Sequence, residues 1–398
     1  MAPAHQQVLI LAGAQALFQT ASVLVMTVAG LAGLELAADP QLATAPIAAM
    51  FLGTAAAMAP AAWLMTRHGR RVGFMIGALL GALGGGVAAL GVWAGSLAWL
   101  SAGTFLIGAY GGTAQYYRFA AAEVADAAFR PKAISLVLAG GIVAAVAGPE
   151  LGRWGSTLLD PIFLGSFLAL TAVAAAAVLV STWVRVPRPQ ATALESATPR
   201  PLRTIVAQPA YFVALFGAAT GSGVMILAMT ATPIAMVEHH HTLADASRVI
   251  QAHVLGMFIP SFFTGALIAR FGILPVMLSG VAVLGGHIAM TLTGTGFTSF
   301  LAALVFLGVG WNFLFVGGTT LLTQTYTAVE RGRAQATNDL AIYTVGLLAS
   351  LSAGAFLGRL GWQMLNLALL PWLAVAAGLI LWLALRRRNP LEAMSKPA

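Results

Sequence analysis

Cysteine is absent from all 398 residues. Its absence removes disulfides, structural zinc–thiolate sites and thiol catalysis in one step. It also leaves no thiolate trap for a soft metal anywhere along the chain. Charge is nearly as scarce: 8% of residues are Asp, Glu, Lys or Arg, 59% are hydrophobic, and the mean hydropathy is +0.89. A soluble domain carries roughly a quarter charged residues, so a water-soluble fold is excluded and the chain is an integral membrane protein. No Lys or Arg precedes the first apolar run, MAPAHQQVLILAGAQALF, and no cleavage site follows it. That run reads as a retained first span and not a signal peptide. No enzyme motif is evident, and nothing calls for a cofactor.

What is present is a succession of apolar runs, each near the ~20 residues that cross a bilayer. They fall at 8–33, 43–65, 72–94, 98–118, 133–156 and 161–184, then at 208–237, 247–269, 275–294, 298–324, 335–357 and 362–385. A polar, Pro-rich stretch, Val186 to Arg203, separates the two sets. The expected fold class is an all-α integral membrane protein of 12 transmembrane helices. Its organisation is an N-terminal six-helix bundle (1–185), a cytoplasmic linker (186–207), a C-terminal six-helix bundle (208–388) and a cytoplasmic tail (389–398). With both termini cytoplasmic, all of the 20 Lys and Arg residues except Arg153, Arg248 and Arg359 fall on the inside, Arg67, Arg70, Arg71, Arg118, Arg331 and Arg333 among them. Such a bias sets orientation, and it accounts for the net charge of +8 without nucleic acid. The outside loops hold Glu35, Asp39, Asp160, Glu238, His239 to His241 and Asp245. The expected setting is a bacterial inner membrane, with the protein a monomer in the lipid bilayer.

The two halves repeat. Arg67-His68-Gly69 matches Arg270-Phe271-Gly272 at an offset of 203, and Phe129-Arg130-Pro131-Lys132-Ala133 matches Glu330-Arg331-Gly332-Arg333-Ala334 at 201. Parallel six-helix repeats about an axis normal to the membrane are a transporter architecture. Thr66-Arg67-His68-Gly69-Arg70-Arg71 resembles the GxxxDRxGRR loop of the major facilitator superfamily, with Ala62 in place of its Gly and Thr66 in place of its Asp. Ala147-Gly148-Pro149-Glu150-Leu151-Gly152 partly resembles that family's antiporter motif.

Candidate ligands concentrate between Phe216 and Pro260. Met225 and Met229 lie four apart in one apolar run, and His253 and Met257 four apart in the next. Residues i and i+4 share a helix face. Thioether and imidazole donors suit Cu(I) better than a hard cation, and a histidine within a span needs a partner or a cavity. At the offset of 203, Met229 falls on Met26 and His253 on Met50, which makes Met26 and Met50 secondary candidates. The MxxxM and HxxxM motifs, with MTATPIAM and IQAHVLGMFIPSFFTG around them, resemble the CcoA-type copper importers within that superfamily. The resemblance implies import of copper as Cu(I), supplying assembly of a cbb3-type haem–copper oxidase, with cytoplasmic copper chaperones as partners. Here copper is cargo, not a cofactor. Related transporters take up riboflavin, which makes uptake of riboflavin or a similar small organic molecule the first alternative. Drug efflux and a copper-holding assembly factor that never translocates are weaker ones. Glu150 and Asp339 are the membrane carboxylates available for proton coupling. Because the corresponding spans line the cavity in this family, Gln15, Gln19, Thr20, Gln115, Tyr116, Tyr117, Trp311 and Asn312 are expected to line it here. The triple histidine either collects metal at the outer mouth or belongs to a solvated loop capping span eight, and His287 is expected to be a hydrogen-bonded core residue.

Overall fold

An apolar run in lipid must satisfy its backbone N–H and C=O groups within itself, and the helix does so. A computed structural model describes residues 3–126, 129–186, 200–327 and 329–388. Residues 187–199 of the expected linker and the tail 389–398 lie outside the described residues. The first half comprises α1 (Pro3–Leu36), α2 (Ala45–His68), α3 (Arg70–Trp93), α4 (Leu97–Ala114), α5 (Tyr117–Val124), α6 (Arg130–Leu138), α7 (Gly140–Ser156) and α8 (Leu164–Ser181). After a short α9 (Leu202–Val206), the second half comprises α10 (Pro209–Glu238), α11 (Leu243–Phe258), α12 (Ser261–Phe271), α13 (Ile273–Leu292), α14 (Phe297–Thr323), α15 (Arg331–Leu367) and α16 (Leu370–Arg388). Among the described residues no strand occurs.

Nine helical stretches there are long and apolar enough to cross a membrane, and ten if α11 and α12, bent by 40°, form one span. The expected count of twelve differs from this in two places. Arg331–Arg387 is one stretch of 57 residues that holds both α15 and α16, and α4 is a short helix extended by α5. α15 also runs beyond the expected end at 357 to Leu367, across a break at Gly361 (φ 73°, ψ 172°).

The two halves pack alike. In the first, α2 and α3 each lie on α4, α3 on α8, and α1 on α7 and α8; in the second, α11 and α13 each lie on α14, α13 on α16, and α10 on α15 and α16. The repeated Arg-x-Gly loops share one backbone conformation: Gly69 has φ 89° and ψ 162°, Gly272 φ 90° and ψ 164°. Only glycine adopts such a positive φ at little cost. The closest helix crossings repeat too. A Cβ on Gly108 would overlap the Met50 carbonyl oxygen, and one on Gly308 the His253 carbonyl oxygen. The Met50 and His253 carbonyls are therefore at equivalent helix crossings, as the offset of 203 implies.

The superfamily loop closes by a local substitute. Where its pattern has Asp, Thr66 bonds the Trp63 carbonyl oxygen (2.8 Å). Arg70 instead pairs with Glu123 of α5 (2.6 Å) and lies over the Tyr116 ring at 5.1 Å.

Between the halves, α1 meets α10, α2 meets α15 and α7 meets α11. Gly30 lies against Ile234 and Ile47, and Gly354 against the Gln41 carbonyl. Gln251 Nε2 donates to Glu150 Oε1 (3.0 Å). These contacts sit at the end remote from the Arg67–Arg71 loop and close the molecule there.

A central cavity as candidate functional site

Closure at one end leaves a cavity of about 270 Å³ between the halves. α1 contributes Gln15, Gln19, Ser22 and Met26 to its wall, and α10 contributes Ser222, Met225 and Met229. These residues recur every three or four positions because one face of each helix looks inward. α2 adds Met50, Phe51 and Thr54, and α11 adds Val254, Met257 and Phe258. Gln115 and Arg118 follow from the break between α4 and α5, while Trp311, Phe315 and Tyr343 come from α14 and α15.

The walls differ in chemistry. The three amides, Gln15, Gln19 and Gln115, belong to the first half, as does Arg118. The second half supplies a stacked ring pair, Trp311 on Phe315 (centroids 4.8 Å apart, planes 14° apart), with Phe258 edge-on to Trp311 at 6.5 Å. Rings four residues apart on one helix stack in this way. Both walls also carry other apolar groups, Phe18 and Phe51 in the first half and Val254 and Ile342 in the second.

Of the expected copper ligands, Met225, Met229 and Met257 line the cavity, as do Met26 and Met50. His253 does not join them. It is fully buried, its Nδ1 donates to the Leu304 carbonyl oxygen of α14 (2.9 Å), and its Nε2 has no hydrogen-bond partner. Four residues at about 100° each overshoot a full turn by about 40°, so Met257 reaches the cavity while His253 turns into the seam with α14. Among the described residues no group of three His, Cys, Asp or Glu forms a metal cluster.

The expected polar lining divides by the same rotation. Gln15, Gln19, Gln115 and Trp311 face the cavity. Thr20 bonds the Ala16 carbonyl oxygen, and buried Asn312 bonds Thr264, Ser261 and the Met257 carbonyl oxygen. Tyr117 packs on Phe74 (4.3 Å), and Tyr116 on Arg70. Arg118, expected in a cytoplasmic loop, lies in the cavity wall. It follows the break between α4 and α5, which no glycine or proline marks in the sequence.

The carboxylates expected to couple protons lie outside the wall. Glu150 pairs with Arg153 (2.6 Å) and accepts from Gln251, which makes it part of the closed end. Asp339 is half-buried, accepts from Asn338 Nδ2 (3.1 Å) and interacts electrostatically with Arg118 of the other half. His287 is a core residue as expected, with Nδ1 donating to the Ala303 carbonyl oxygen and Nε2 2.9 Å from Asn366 Oδ1. At the far end, His241 Nε2 donates to the Thr295 carbonyl oxygen (2.8 Å) and stands edge-on to Phe300. The cap of α11 is a Thr242–Asp245 capping box and involves no histidine.

Comparison with known proteins matches the model of the Major Facilitator Superfamily to residues 10–247 and 212–398. A protein named riboflavin transporter RfnT, from Brucella anthropi, is 40% identical over 375 residues, covering 94% of each chain. YdeG of Bacillus subtilis, an uncharacterized MFS-type transporter, is 29% identical over 359 residues, 86% of this chain and 83% of its own. In fold, the chain is similar to a crystal structure of a D-xylose–proton symporter (TM-score 0.76, 16% identity, 94% of this chain and 96% of that one). It is also similar to an inward-facing bacterial homologue of the human lysosomal transporter Spinster (TM-score 0.72, 17% identity, 98% of both chains).

Proposed function

Since the chain belongs to the Major Facilitator Superfamily, and is therefore a multi-pass membrane transporter and not an enzyme, we propose that it imports riboflavin or a similar planar heteroaromatic molecule across a bacterial inner membrane. The observation that carries this is the opposition of a stacked ring wall, Trp311 and Phe315, to an amide wall, Gln15, Gln19 and Gln115. A flat ring system stacks on aromatic faces, while its carbonyl, imide and hydroxyl groups need a few well-placed polar partners. The 40% identical riboflavin transporter supports the same assignment. With the basic loops on the cytoplasmic side, the closed end faces outward, and the halves rock about the cavity to alternate access. The bundles divide at the expected linker, 186–207.

A second reading is favoured by one observation: five methionine side chains, Met26, Met50, Met225, Met229 and Met257, line the same cavity. Thioethers suit Cu(I), and the chaperones and oxidase assembly go with that reading. Uptake of labelled riboflavin and of radiocopper, by cells lacking their own importers, separates the two. Riboflavin entry that falls in Trp311→Ala at matched abundance, with copper uptake at background, is the expected result. Copper entry that Met229→Ala and His253→Ala abolish, without riboflavin entry, would overturn it.

A further inference from the structure

Among the described residues, Arg118 is the one ionisable cation or carboxylate in the cavity wall. The ion pairs among the described residues, Arg70–Glu123, Arg153–Glu150, Arg200–Glu330 and Arg248–Asp245, do not include it. Its Nε is buried without a hydrogen-bond partner, and its guanidinium lies over the Phe119 ring at 4.9 Å. A ring beneath the guanidinium plane holds it in place and leaves the in-plane N–H donors free. The opposing charge, Asp339, belongs to the other half and is not within salt-bridge distance.

Resting on the planar-substrate assignment, we infer that Arg118 is a specificity-determining residue whose guanidinium fork donates to the acceptor edge of the substrate and excludes planar cations. A guanidinium presents parallel N–H groups that match two adjacent acceptors. The pyrimidinedione edge of a flavin carries that pair, a carbonyl oxygen beside a ring nitrogen. Stacking on Trp311 and Phe315 is indifferent to the charge of the ring system, or favours a cation. The aromatic wall alone would therefore admit cationic dyes as readily as flavins. Arg118 supplies the discrimination: a cation entering the cavity meets a like charge in the wall, while the carboxylate of Asp339 lies outside the wall and already interacts with Arg118. Near the cytoplasmic end, the same residue would otherwise pass for an ordinary topology-setting arginine. Its place in the wall is what distinguishes it.

Equilibrium binding to the purified full-length protein, read by ligand fluorescence, tests this with riboflavin and with proflavine, a planar tricyclic cation. Wild type should bind riboflavin and not proflavine. Arg118→Gln should weaken riboflavin by at least about tenfold, the scale of a lost charge-assisted hydrogen bond. Arg118→Glu should gain proflavine binding. Arg118→Lys keeps the charge without the fork, so it should still exclude proflavine while losing riboflavin affinity. A merely structural role would not exchange one ligand for the other by charge. Riboflavin binding by Arg118→Gln or Arg118→Lys within about twofold of wild type, or proflavine binding by wild type as tight as riboflavin binding, overturns the inference. Wild type that binds no riboflavin overturns the substrate assignment as well.

Discussion

Removing the Gln251 side chain should open the closed end. Among the described residues, Gln251 Nε2 to Glu150 Oε1, at 3.0 Å, is the side-chain hydrogen bond that ties α11 to α7 across the two halves. A hydrogen bond to a charged acceptor contributes about 1.5–3 kcal/mol when shielded. The Glu150 side chain is 31% exposed and shared with Arg153, so water and the arginine both compete, and about 1 kcal/mol is the appropriate scale. Since 1.4 kcal/mol is tenfold, Gln251→Ala should shift the ratio of open to closed molecules by about fivefold. The cysteine-free chain takes spin labels without background. Labels at Leu42 and Val237, 53% and 40% exposed on opposite halves of the closed end, would report the separation by pulsed dipolar spectroscopy. Gln251→Ala should enlarge the long-distance population, and Glu150→Gln should do so less, because the amide can still accept. A Gln251→Ala distance distribution that matches wild type would show that the close helix contacts at Gly30 and Gly354 hold the end shut without this bond.

The glycine crossings predict paired costs. Gly108→Ala and Gly308→Ala each drive a methyl group into the carbonyl oxygen facing it, and each should lower stability by about 1–3 kcal/mol in thermal unfolding of the detergent-solubilised protein. Gly86→Ala has open space around its Cβ and should be neutral or slightly stabilising. At the loop end, Glu330 is 2% exposed and bonded to Arg200 and to the Thr327 backbone. Hydrogen bonds from Arg200 hold its carboxyl well below the ordinary value of 4.5. The stability it contributes is present in full above pH 4.5, falls progressively below that as the unfolded carboxyl takes up its proton, and is gone once pH has fallen through the depressed folded value. Unfolding of wild type and Glu330→Gln should therefore differ by a constant amount from neutral pH down to about that ordinary value, and converge only in stronger acid. Convergence already at pH 6 would refute the pairing.

Much of the fold is legible in the sequence because hydropathy acts over whole spans, and the repeat of Arg67-His68-Gly69 in Arg270-Phe271-Gly272 carries through to identical glycine dihedrals. The cavity is legible only in part, because facing depends on rotation, and i,i+4 spacing fixes rotation to within about 40°. That tolerance keeps Met225 and Met229 together in the wall and separates His253 from Met257. One position is enough to turn Asn312 away from the cavity that Trp311 lines. Arg118 was hidden for a different reason. The positive-inside rule explains an arginine near a span end without reference to what it faces, and the break between α4 and α5 has no glycine or proline to announce it.

The asymmetry of the walls follows from the duplication itself. On α1 and α10, Gln19, Ser22, Val23 and Met26 correspond at the offset of 203 to Ser222, Met225, Ile226 and Met229, and all eight line the cavity. From α4 into α5, and on α14, where Gly108 and Gly308 make equivalent crossings, the offset is 200; Gly111, Gln115 and Arg118 correspond to Trp311, Phe315 and Gly318, all of them in the wall except Gly318. The inherited geometry presents most of these positions twice, once from each side. In this chain the large rings occupy the second-half copy of those positions, and the amide and guanidinium the first-half copy. A cavity divided in this way is not symmetric toward its ligand, although its backbone is. On the planar-substrate assignment proposed above, it suits a molecule with one broad flat face and one edge rich in acceptors.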